Sequence, residues 1–316
     1  MRSVKRAGRS CHTMSALVCG LDVHKDSTYA TILSPEGKIV NQTRMENERV
    51  LPYLSHFNVV SHPKKTRYIA EAKIKSDRVD SKAIAELVRL DALPLAYFPT
   101  GEIAKLREKV RRRAFLVRER VKLRVKVKSV LTYEGLKWPS EHGLFTKKGV
   151  EWLHELKIDS VESYLRILES LDEEIKLLSK ELVGVAEDDE EVKLLMTIPG
   201  IGYYTAVLMK SEIGDISRFP FPERLCSYAG LVPSTHASGK TVWHGGITKE
   251  GSRWLRWVMV EAAQTHVHKY DTAITKAYNR IAEKRGKKIA TVAAARRLLM
   301  CSYSVLKNKK PYYDQT

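Results

Sequence analysis

Four cysteines are scattered along the 316 residues, at Cys11, Cys19, Cys226 and Cys301, and no two form a CxxC pair. That excludes a zinc ribbon and a disulfide framework, and we read the thiols as reduced and the protein as cytoplasmic. No run of about eighteen apolar residues occurs, so no membrane span is expected. The amino terminus, Met1 to Arg6, is basic but lacks the apolar core of a secretory signal; Met14 offers a second start. No internal repeat or low-complexity tract is present, which argues against a solenoid. Acids are also scarce: 37 Asp and Glu stand against 55 Lys and Arg, a formal net charge of +18. An enzyme for small neutral substrates has no use for that excess. A polyanion does, because phosphates release counterions when Lys or Arg neutralise them. Nucleic acid fits better than a membrane surface, since no strongly amphipathic basic terminus is evident. Charge supplies affinity and not chemistry, so a binding protein and a nuclease stay equally open here.

The stretch Lys75-Ser76-Asp77-Arg78-Val79-Asp80 sets two acids three residues apart at the start of a helix reaching about Leu90. Residues at that spacing share a helix face. The apolar stripe runs Ile84, Leu87, Val88, so Asp80 points where the core residues point. An inward carboxylate needs a cation, and a divalent metal would provide one. Helix capping is the competing reading, with Asp77 as N-cap and Asp80 at the third helical position. Upstream, residues 16–24, 28–33 and 38–43 read as three strands joined by short turns, an antiparallel meander with Asp22 at the end of the first. Residues 46–56 read as a helix bent by Pro52, residues 59–63 as a further strand, and a helix starts near Tyr68. Pro94 and Pro99 mark a linker.

From Ile103 to about Thr132 the pattern is one long basic helix carrying Arg111, Arg112, Arg113 and Arg118. Its broken apolar seam implies packing, and its one-sided charge implies phosphate contact. Residues 150–156 form a short helix. A second long helix, Val161 to about Val185, is acidic and also seamed, so the two are expected to pair as a coiled-coil hairpin. Glu187 to Glu191 reads as a solvated joint and a domain boundary. Ile198-Pro199-Gly200-Ile201-Gly202 between two helices is the pattern of a helix-hairpin-helix turn, in which Gly200 and Gly202 let backbone N–H groups approach a phosphate. A plain interhelical turn reads the same way. Residues 229–240 read as a polar loop with Ser238-Gly239 at its tip. The next helix carries Arg253, Trp254, Arg256 and Trp257, suited to phosphate and base contact or, for the tryptophans, to the core.

Taken together and in order, Gly20-Leu21-Asp22-Val23-His24-Lys25, Lys75 to Asp80, Ile198 to Gly202, and Gly230-Leu231-Val232-Pro233 with Ser238-Gly239 resemble the IS-one-ten family of insertion-sequence transposases. The resemblance implies an α/β domain of RNase H (RuvC-like) fold over residues 14–98, a coiled-coil region over 99–189, and a helical transposase domain over 190–308. It further implies acids that hold Mg²⁺, with Asp22 as the first and Asp77 and Asp80 as the last two, and Ser238 as the nucleophile on DNA. It implies a structured guide RNA, DNA at the element ends and target, and a homo-oligomer, dimer or tetramer, that shares its site between chains. A serine hydroxyl needs a base or a metal to activate it, and metal-bound acids stabilise charge on a phosphate.

One departure stands out. The family's second acid, a Glu, lies on a strand that should precede Val59-Val60-Ser61-His62-Pro63, yet Phe57-Asn58 runs straight into that segment. Glu46, Glu48 and Glu71 are the nearest acids, and none matches the motif position. The expectation is an internally deleted copy, short of a strand-helix unit and weakened or silent in catalysis. Two other readings stay open: a nucleic-acid-binding protein without chemistry, and a junction-resolving nuclease using carboxylates alone. Ser234 and Thr235 are alternatives to Ser238.

Overall fold

The computed structural model describes residues 17–48, 50, 66, 76–92, 97, 99, 101–138, 141–238 and 241–313. The expected strand at 59–63, the start of the helix at Tyr68 and residues 49 and 51–56 of the expected helix over 46–56 lie outside the described residues. The chain divides into two compact units, residues 1–98 and 99–316.

In the first unit β1 (Val18–Val23), β2 (Ser27–Leu33) and β3 (Ile39–Glu46) form an antiparallel sheet in the order β1-β2-β3. The register sets Asp22 opposite Tyr29 and Gly20 opposite Thr31. Helix α1 (Asp77–Arg89) lies across β1 and β2. Its buried residues are Ser81, Ala85 and Leu87, not the expected stripe of Ile84, Leu87 and Val88. The small side chains matter because of Gly20: a Cβ there would overlap the main-chain oxygen of Ser81 and nitrogen of Ala85. Only glycine lets α1 come this close to β1. A buried hydrogen bond of 2.7 Å between Thr31 Oγ1 and Ser81 Oγ fixes the contact. Gln42 Nε2 donates to Thr31 Oγ1, and Arg78 Nε donates to Gln42 Oε1.

The second unit is helical apart from one hairpin. Its long helices are α2 (Gly101–Tyr133) and α4 (Asp159–Asp188), with α3 (Lys147–Glu155) between them. Lys109 pairs with Glu181, Arg113 with Ser179, and Arg120 with Asp172. Rising numbers on α2 meet falling numbers on α4, so the two run antiparallel. Val127, Leu131, Leu153, Val161, Leu165 and Leu168 form a core at one end of this pair. At the other end follow α5 (Glu190–Met196), α6 (Tyr203–Ile213), α7 (Pro222–Tyr228), α8 (Arg253–Lys269), α9 (Ala273–Arg285) and α10 (Lys287–Asn308). Leu182 and Ala186 of α4 share one core with Val192, Leu208, Leu255 and Leu298. The expected division at 189/190 therefore falls inside this unit, where Asp189 caps α5 through Glu191 N and Val192 N. Helix α10 is long and apolar enough by composition to cross a membrane, but half of that stretch is buried inside this unit. It is the core helix, with Ala294, Ala295, Leu298 and Leu299 enclosed.

Residues 233–247 correct the expected polar loop. They hold β4 (Pro233–Ser238) and β5 (Thr241–Ile247), which pair antiparallel with Ser238 opposite Thr241. Thr235, Thr241, Val242, Trp243 and Ile247 are β-branched or aromatic, which suits strands. The frequent Ser, Thr, His and Gly masked that pattern.

Candidate metal centre and nucleic-acid interface

The contact licensed by Gly20 brings two distant stretches of sequence together. Asp22 leaves β1 on the same side as Gly20, since alternate residues share a face. Helix α1 then starts beside it. Ser76, not Asp77, is the N-cap: its side chain accepts from Val79 N. Asp77 and Asp80 therefore sit in the first turn with their carboxylates free of the capping role. His24 lies between the acids, with Nε2 3.3 Å from Asp22 Oδ2 and 3.3 Å from Asp77 Oδ1. One ligand atom from each of Asp22, His24 and Asp77 lies within 4.8 Å of the others. Asp80 joins them electrostatically. Burial raises the Asp22 pKa, His24 opposes the rise, and the charges of Asp80 and Asp77 add to it.

Among the described residues, no Lys or Arg pairs with these three carboxylates. The set is short of positive charge, and His24 is its only basic neighbour there. Carboxylate oxygens at this spacing fit a hard divalent cation such as Mg²⁺ or Mn²⁺, and the imidazole nitrogen is a ligand that first-row transition ions also accept. No glutamate joins the group among the described residues.

His24 carries no assignment from its sequence position, although it stands two residues beyond Asp22, just past the end of β1. Asn47 supports it from a distance. Its Nδ2 donates to the carbonyls of His24 and Lys25, both at 2.9 Å, and its Oδ1 accepts from Thr28 Oγ1 at 2.8 Å. The β1–β2 turn is thereby clamped from the end of β3. Nothing in the local sequence marks Asn47, because its partners lie nineteen to twenty-three residues upstream.

In the second unit the expected nucleic-acid contacts separate. Ser238 ends β4 and pairs with Thr241 across the turn. Gly200, at φ +87°, turns the chain between α5 and α6, and a Cβ there would press on Ala262 O and His266. His266 locks this turn from inside: Nδ1 donates to Pro199 O at 2.7 Å, and Nε2 accepts from the Thr272 hydroxyl at 2.6 Å. Gly202 caps α6 without a side chain, and a Cβ there would meet open space.

Arg111 is held by Glu212, a fully buried acid, through contacts of 2.8 and 2.7 Å to Oε1. Ser252 donates to the other oxygen of Glu212 at 2.9 Å. Arg107 donates to the main-chain oxygens of Ser211 and Glu212 at the end of α6. Arg112 reaches Glu108 at 3.7 Å. Arg113 donates to Ser179 and lies 4.4 Å over Tyr204, whose hydroxyl is pushed up to about 12 by burial. Arg256 donates to Ala229 O at 2.9 Å, and burial lowers its pKa. Arg118 and Arg253 lie over Trp254.

The sequence model of the Transposase IS116/IS110/IS902 family matches residues 192–279, and a DEDD transposase model named for IS110 matches residues 51–134. The putative transposase y4qE of Sinorhizobium fredii is 28% identical over 69% of this chain and 55% of its own length. The transposase for insertion sequence element IS1111A of Coxiella burnetii is 28% identical over 75% of this chain and 68% of its own. The pilin gene-inverting protein of Moraxella bovis is 34% identical over 40% of each. The chain thus spans between about half and two thirds of the length of the first two relatives.

Proposed function

We propose that this chain, which belongs to the IS110 family of insertion-sequence transposases, acts as a DNA recombinase that cuts and rejoins strands at element ends and target. The observation that carries the proposal is the convergence of Asp22, His24 and Asp77, with the charge of Asp80, in a place short of cations. We read residues 14–98 as an RNase H-like (RuvC-like) domain, residues 99–189 as its coiled-coil connection and residues 190–308 as the transposase domain. Asp22, Asp77 and Asp80 would hold Mg²⁺, which supplies charge stabilisation at a phosphate. His24 Nε2, 3.3 Å from both Asp22 and Asp77, would stand with them as a further ligand atom. Ser238, at the tip of the β4–β5 hairpin, is the proposed nucleophile on the phosphodiester. Attack by its hydroxyl forms an Oγ–P bond, releases a 3′ or 5′ hydroxyl and keeps the phosphodiester energy for rejoining. A structured guide RNA, a homo-oligomer of two or four chains and a cytoplasmic setting complete the reading.

The missing second acid remains part of the proposal. Among the described residues the family's Glu has no counterpart in the acid group, and in the sequence Phe57-Asn58 runs straight into Val59 to Pro63, so this copy is proposed to be weak or silent in strand transfer. The test uses full-length protein, guide RNA, labelled element-end duplex and Mg²⁺. The expected result is little or no strand transfer but retained nucleic-acid binding. Robust transfer overturns the deletion reading. Where any covalent protein–DNA adduct forms, mapping it to Ser234 or Thr235 would displace Ser238, and cleavage by Ser238→Ala would favour a carboxylate nuclease.

A further inference from the structure

The arginines of α2 and α8 sort by what neutralises them. Arg111 is paired with buried Glu212, Arg112 reaches Glu108, and Arg256 holds a main-chain carbonyl. Arg118 and Arg253 differ. Both are exposed, and among the described residues neither has a carboxylate, carbonyl or hydroxyl partner. What holds them is indole. Arg118 lies 4.5 Å from the ring centre of Trp254 and 5.5 Å from that of Trp257, and Arg253 lies 5.6 Å from Trp254. The two indoles meet edge to face at 6.1 Å, and Trp254 is only 9% exposed, locked into the core of the unit.

Stacking on an indole limits where a guanidinium can go without using up its N–H donors. The side chains are therefore ordered before any ligand arrives, which lowers the entropic cost of binding. Both cations lie within 6 Å of one ring, so they stand no more than about 10 Å apart and repel each other. No acid among the described residues answers either. A phosphodiester chain presents a charge every ~3.4 Å along each strand of a duplex, so neighbouring phosphates can meet both. The guanidinium fork matches a phosphate's oxygens in geometry as well as in charge.

We propose that Arg118 and Arg253, stacked on Trp254 and Trp257, form a preorganised clamp for the phosphodiester backbone of a nucleic acid where α2 meets the start of α8. The clamp rests on the nucleic-acid reading above and narrows it. Of the six arginines singled out in the sequence, Arg111, Arg112, Arg113, Arg118, Arg253 and Arg256, two carry the phosphate contact, while Arg111 and Arg256 hold the fold.

The test is fluorescence anisotropy on the full-length protein with a labelled mixed-sequence DNA duplex and, separately, a labelled hairpin RNA, over a range of KCl. The clamp variant Arg118→Gln/Arg253→Gln is compared with Lys105→Gln/Lys122→Gln. The latter removes two charges from exposed lysines of α2 that already face Glu102 and Glu119. The clamp variant is expected to lose about tenfold or more in affinity and to flatten the duplex salt slope by roughly two, about one per lost phosphate contact, with the lysine variant close to wild type. Glutamine keeps a planar group on the indoles, and Arg118→Lys, which keeps charge but not the planar stack, is expected to fall between. Equal losses in the two double variants would assign the affinity to bulk charge and overturn the clamp. So would an unchanged salt slope. A loss seen with only one probe identifies which nucleic acid the clamp holds. Wild-type protein that binds neither probe overturns the nucleic-acid reading itself, together with the clamp.

Discussion

Two groups of carboxylates in this molecule face opposite circumstances. Glu212 is buried in the second unit, and every feature around it is compensating: Arg111 on one oxygen, Ser252 on the other, Arg107 on its main-chain oxygen. Asp22, Asp77 and Asp80 are less buried, crowd one another, and have among the described residues only His24 as a basic partner. A buried acid that must stay folded is surrounded by donors. An acid group that is partly open and short of cations is poised to receive one. The same side-chain chemistry is structural in one unit and offered to a ligand in the other, and the partners decide which.

The sharpest way to break the comparison is to remove the compensated acid. Glu212→Ala leaves Arg111 and Ser252 facing an apolar gap, and losing one partner of a buried pair costs about 3–5 kcal/mol. Urea unfolding should show that loss in the midpoint. A change below about 1 kcal/mol would show that the Glu212 network is not structural, and the contrast would lapse. Next in size is Gly20→Ala. The added Cβ collides with the backbone of α1, which cannot rotate away, so overpacking should cost roughly 1–3 kcal/mol. Because α1 carries Asp77 and Asp80, the same change should abolish any thermal stabilisation by Mg²⁺ or Mn²⁺. Stability lost with metal response intact would mean that the acids do not depend on this contact for their spacing.

Much of this arrangement was legible in the residues, and what was not has physical reasons. The meander follows from alternation and turn chemistry in residues 18–46, and the pairing of α2 with α4 follows from opposite charges and matched seams. Helical spacing puts Asp77 and Asp80 together. It does not say that Ser76 would take the cap, because Ser and Asp cap equally well and only geometry chooses. Hydropathy pointed to Ile84 and Val88 for the buried face of α1. The tight contact is made by Ser81 and Ala85 on Gly20, and small residues carry almost no hydropathy signal. The arginines of α2 read alike in sequence. The partners of Arg111, Arg118 and Arg120 come from α6, α8 and α4, at separations of fifty to more than a hundred residues, so pattern cannot sort Arg111 from Arg118.

The smallest expected effect sharpens the comparison most, because its sign is fixed in advance. The Asp22 pKa is raised above 3.8 by burial, with His24 pulling it down and Asp80 and Asp77 pushing it up. An acid whose folded value is raised holds its proton more tightly folded than unfolded. Below 3.8 it is protonated in both states and contributes nothing. As pH climbs through the unfolded and then the folded value, the ionised carboxylate costs stability, and the cost persists to neutral pH. In metal-free protein kept in EDTA, Asp22→Asn should therefore be slightly more stable than wild type at pH 7. The advantage should shrink to nothing as pH falls toward 3.8, with unfolding free energy followed by circular dichroism at each pH. The difference between the two proteins is the quantity to read, since Glu86, Glu181 and Asp215 have lowered values and tilt the whole curve the other way in both. Adding Mn²⁺ should reverse the order at pH 7, because the acid that is a burden without a cation becomes its ligand. An Asp22→Asn protein that is less stable than wild type in EDTA would mean that Asp22 is already compensated, as Glu212 is, and the first unit would then hold a second structural acid instead of a metal centre.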